Sequence, residues 1–96
     1  MTDEQILAML KIDIGFSSNG TTKIDDRLKQ LISVAEKNII SEGASTLNRN
    51  NIDDVQLIVM YAAWLWRRRD TQDDMPRMVR YAINNRVFAE KMVSGS

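Results

Sequence analysis

"DDVQLIVMYAAWLWRRR", residues 53–69, decides how this chain folds. At 100° per residue, Val55, Val59, Ala62 and Trp66 lie on one side of a helix, and Leu57, Tyr61, Trp64 and Leu65 on the other. The two tryptophans point about 160° apart. A helix that is apolar on all sides is a central one and has to be covered on both faces. Neighbouring helices can cover one of them; the second face is expected to need an adjoining subunit. The apolar run Val55–Trp66 is about half of the roughly 20 residues a membrane span requires, and it contains Gln56.

Reading outward from this helix gives further helices and no alternating strand pattern. Downstream, "DDMPRM" places Pro76 in a first helical turn, where its missing N–H costs nothing. Met78, Tyr81, Ala82, Phe88, Ala89 and Met92 then form an apolar stripe. Upstream, Ile24, Leu28, Leu31, Ile32, Ala35 and Ile39 share one face of a helix that starts near Thr22, and Gly43 suits the left-handed position beyond its end. The first helix opens on a capping box of Thr2 and Gln5, carries Ile6, Leu7 and Leu10, and closes at Gly15. Residues 1–96 therefore read as one all-α domain, with helices at about 3–12, 23–41, 53–69 and 76–92 and the apolar third helix at the centre. Tyr61, Trp64, Tyr81 and Phe88 are expected to hold the helices together.

Composition narrows the function. A chain of 96 residues has a thin core, so assembly is a natural source of added stability. Thirteen basic and thirteen acidic residues cancel, whereas a free nucleic-acid binder usually carries a basic excess. Cysteine and histidine are both absent, which removes the commonest catalytic and transition-metal ligands. Four scattered glycines make no phosphate loop. The sequence thus points away from an enzyme and implies no cofactor and no metal. Met1 leads into Thr2-Asp3-Glu4, acidic where a signal peptide is basic, so a soluble, intracellular protein is expected.

The pairs Asp25-Asp26, Asp53-Asp54 and Asp73-Asp74 resemble two-carboxylate sites, but each stands at a helix start, where carboxylates complement the free N–H groups. Adjacent helical residues also diverge by about 100°, so none of the three pairs clamps an ion alone. The arginines leave three readings open. Arg67, Arg68 and Arg69 in the last turn of the third helix are followed by Asp70, Asp73 and Asp74, as in a self-neutralised solvated corner. With Trp66, Arg77 and Arg80 they also match the composition of a protein–protein interface. The third reading is a DNA-binding regulator or packaging subunit with residues 76–86 as recognition helix, using Arg77, Arg80, Asn84 and Asn85 on base edges. Against it, the connection "DTQDD" sets acids where phosphates would lie.

Residues 53–69, followed by "MPRMVRYAINNRVF", resemble the small head–tail connector proteins of long-tailed bacteriophages and prophages, also called head-completion or adaptor proteins. The shared features are the acidic helix start, Met60-Tyr61-Ala62, Trp64-Leu65, the basic end, Met-Pro-Arg-Met, Arg80-Tyr81-Ala82 and Asn84-Asn85-Arg86. The resemblance implies a structural subunit made in the bacterial cytoplasm and placed in the virion neck, away from any membrane. There a ring of about twelve copies, joined head to tail, docks under the portal protein and carries the next neck or tail component. DNA passes through its channel without sequence-specific binding. On this reading Trp66, Arg67, Arg68, Arg69, Arg77 and Arg80 are the candidate subunit or portal contacts.

Overall fold

A computed structural model describes residues 2–15, 22–71 and 74–93, with the side chains of residues 22, 23, 69–71 and 93 outside the description. Four helices form among these residues and no strand: α1 Asp3–Asp13, α2 Thr22–Ser41, α3 Ile52–Thr71 and α4 Arg77–Val93. The all-α reading and the four helices hold. Each start has a local cause. The Thr2 hydroxyl accepts the Gln5 N–H at 3.2 Å while the Gln5 side chain accepts the Thr2 N–H at 2.9 Å, the reciprocal capping box expected of α1. Asn51 begins α3 by accepting the Asp53 N–H at 2.9 Å. Pro76 stands just before α4, its carbonyl accepting the Arg80 N–H, and not inside the first turn. Gly43 ends α2 with φ +127°.

α3 is the central helix: α1, α2 and α4 all pack against it. Ion pairs fix how α1 and α2 meet. Lys11 pairs with Asp25 and Lys29 with Glu4, so these two helices run antiparallel. Arg49, in the connection before α3, joins Asp3 of α1 and Glu36 of α2. Inside, Ile6, Leu10, Leu28, Ile39, Val55, Ile58 and Ile83 are fully buried.

Two expectations need correction. The second face of α3 needs no adjoining subunit, because Val55, Leu57, Ile58, Val59, Tyr61, Ala62 and Ala63 are all buried within one chain. Three helices spaced around α3 cover what two would have left open. The stripe of α4 is also not its core face. That helix enters the core through Val79 and Ile83, with Val87 packed beside them, while Tyr81 and Phe88 are exposed and hold no helices together. Tyr61 does so, meeting the half-buried Trp64 edge-on at 5.5 Å.

The Gly43–Val87 contact sets how closely the α2–α3 connection lies on α4. A methyl group at Gly43 would stand 3.0 Å from Val87 Cγ1, on a backbone that L residues rarely adopt. Gly43→Ala should therefore lower stability by about 1–2 kcal/mol in urea titration. A neutral substitution would mean the connection is free to move away from α4.

Candidate assembly surface

α4 has two faces of opposite use. At 100° per residue, Val79, Ile83, Arg86, Val87 and Glu90 cluster on one side, and Met78, Tyr81, Asn85, Phe88 and Met92 about 160° away. The first side attaches the helix. Asp54, 2% exposed, receives the Arg86 Nε–H at 2.6 Å and the Asn48 N–H at 2.9 Å. Arg86 also reaches Thr46 Oγ1 at 3.0 Å, and hydrogen bonding to Asp54 raises its pKa further. Glu90 closes the clasp by accepting both the N–H and hydroxyl of Ser45 and of Thr46, at 2.6–3.0 Å.

These four donors favour the ionised Glu90, with the Thr46 hydroxyl the largest contributor, and bring its pKa down from 4.5 to about 2. A depressed carboxylate pKa contributes stability fully above the ordinary value and loses it as pH falls through the folded one. Acid titration followed by circular dichroism should thus show a loss between about pH 4.5 and 2 that Glu90→Gln makes shallower. Identical acid profiles for the two proteins would remove Glu90 from the clasp. In the open cleft beside it, about 400 Å³ and lined by Thr46, Asp54, Arg86 and Glu90 among others, these four are bonded to one another.

The opposite side faces outward. Met78 is 74% exposed, Tyr81 59%, Phe88 64% and Met92 66%. Four large apolar side chains along one helix face, with no described residue covering them, are an exposed patch of the kind that marks an interaction surface.

The six residues singled out from the sequence do not form one cluster. Trp66 is half-buried and packs against the core. Arg67 donates to the Asp13 carbonyl at 3.0 Å, tying the end of α1 to α3. Arg68 lies 5.1 Å over the Trp64 ring, a cation–π contact. The Arg69 side chain lies outside the described residues. Arg80 pairs with Glu42 at 2.7 Å, holding α4 to the end of α2. Arg77 is exposed beside the outer stripe. Of the residues proposed for base edges, Arg77, Asn84 and Asn85 are exposed and Arg80 is engaged with Glu42.

Among the carboxylate pairs, Asp25 joins Lys11 across the α1–α2 contact and Asp54 turns to Arg86, so both link distant segments besides standing in first turns. Asp74 is exposed just before α4, and Asp73 lies outside the described residues. No group of three or more carboxylates among the described residues could hold a metal ion. No described helix is long and apolar enough to cross a membrane. No family model matches the chain, and neither the curated proteins nor the solved structures compared with it give a match.

Proposed function

We propose that the protein is a structural assembly subunit, not an enzyme: a phage or prophage head–tail connector that forms a ring under the portal and carries the DNA channel toward the tail. The observation behind this reading is the outer face of α4. The core closes around α3 without it, yet it keeps four large apolar side chains in water. A chain with no assembly role gains nothing from such a face, and an assembling subunit buries it on a neighbour. The exposed Arg77 extends the contact at its rim, where arginine is enriched in interfaces. Zero net charge suits a channel wall from which DNA must leave. The virion neck, the portal and the next neck component follow from the same resemblance that points to the ring.

Electron microscopy of the purified protein tests the reading, both alone at high concentration and on portal-bearing, DNA-filled heads. Closed rings of about a dozen copies around a channel are expected, since a head-to-tail contact closes only at a fixed number. No closed assembly under either condition would overturn the reading. Duplex binding that weakens steeply with salt would replace it with the DNA-binding one.

A further inference from the structure

The outer face of α4 repeats every seven residues. Met78, Asn85 and Met92 are seven apart, as are Tyr81 and Phe88, and Ala82 and Ala89. These positions fall within an arc of about 120°, three per heptad, the pattern of a helix that packs lengthwise on another helix. All are exposed except the half-buried Ala82. The seam also has a centre. Seven residues either side of Asn85 stands a methionine; four before is Tyr81 and four after is Ala89; three before is Ala82 and three after is Phe88.

That symmetry selects an occupant. We propose that α4 docks on α4 of a second copy, antiparallel, about a two-fold axis at Asn85. In this register Met78 meets the partner's Met92, Tyr81 meets the partner's Ala89 and Ala82 meets the partner's Phe88. Each ring faces a methyl group, the large-against-small alternation that lets two helices approach closely. A parallel pair would set ring on ring and alanine on alanine, and would align the two helix dipoles unfavourably. Asn85 meets itself at the axis, where each carboxamide both donates and accepts, and a lone polar residue in such a seam fixes the register.

The size of the face sets the strength of the contact. The exposed fractions of the four large side chains correspond to roughly 400–600 Å² per copy. About 800–1,200 Å² across the pair lies at the lower end of specific interfaces. Arg77 and Lys91, fourteen residues apart on one flank, each come beside the other's counterpart in the partner, and these like charges weaken the pair further. The dimer is therefore weak and reversible. A two-fold contact closes on two copies and builds no ring, so the pairing stands or falls independently of the connector reading. In a connector subunit it shields the stripe until assembly exchanges it.

Because the chain has no cysteine, single cysteines report the register directly. Asn85→Cys should oxidise to a disulfide-linked dimer at micromolar protein, since a disulfide needs Cα atoms within roughly 7 Å. Met78→Cys mixed with Met92→Cys should cross-link to each other, and neither to itself. Gln30→Cys, exposed on α2, serves as the control. In sedimentation, Tyr81→Glu with Phe88→Glu should be monomeric where the parent is dimeric, with unchanged helical signal. Arg77→Glu should tighten the dimer several-fold at low salt by facing the partner's Lys91. Cross-linking of Asn85→Cys no faster than the control, or a parent that stays monomeric, overturns the proposal. Met78→Cys that links to itself as readily as in the mixture, or no tightening by Arg77→Glu, overturns the antiparallel register. Rings without dimers would remove the pairing and leave the connector; dimers without rings would do the reverse.

Discussion

Ile58→Ala should cost about 3–5 kcal/mol in urea denaturation, because Ile58 is fully buried on the central helix and its loss opens a cavity that little can fill. A domain of this size holds only about 5–14 kcal/mol in total, so the variant should sit near the edge of folding at room temperature. The matched control is Phe88→Ala, which removes a larger side chain from the outer face of α4 and should change stability by less than about 0.5 kcal/mol. Measured against the Ile58 loss, Phe88→Ala tests which face of α4 belongs to the core. Equal losses would place Phe88 inside and leave the protein without its outward stripe.

Asp54→Ala should cost about 2–4 kcal/mol, by a different route. The carboxylate is nearly inaccessible, and removing it leaves the Asn48 N–H without its acceptor and the Arg86 guanidinium with only Thr46 and Glu90. Arg86 keeps a fifth of its side chain in water, which holds the loss below that of a fully buried pair. Adding Arg86→Met should recover part of it, since breaking one side of a buried pair costs more than replacing both. A double variant no more stable than Asp54→Ala, with additive single effects, would mean that the pair is not coupled.

Much of the fold was legible in the chain because its signals are local. Residues 53–69 are apolar on every side and announce a central helix, the Thr2–Gln5 box marks where α1 starts, and Gly43 marks where α2 stops. What escaped the sequence depends on contacts between distant residues. α4 carries two stripes, and the larger side chains of Met78, Tyr81, Phe88 and Met92 make the outer one look like the core. The smaller Val79, Ile83 and Val87 fit inward, and at Val87 Gly43 brings the connection too close for anything bulky. An acidic start to α3 was visible, but not that Asp54 would bind an arginine 32 residues downstream. The interface candidates suffered likewise: Arg67 and Arg80 look like a shared patch in sequence, and the fold sends one to α1 and the other to α2.

The mode of attachment of α4 has a kinetic corollary. The other three helices bury their apolar faces on one another, whereas α4 has α3 as its one extensive helical neighbour. For the rest it depends on the Asp54–Arg86 and Glu90 clasp, the Arg80–Glu42 pair and the Gly43–Val87 contact. Such an element is a separate cooperative unit, able to open while the remainder stays folded. Its amides should exchange with deuterium well before those of Ile58 and Ala62, and with a smaller dependence on urea. The helix that carries the outward stripe is thereby the part of the molecule that can change its surroundings without unfolding the rest.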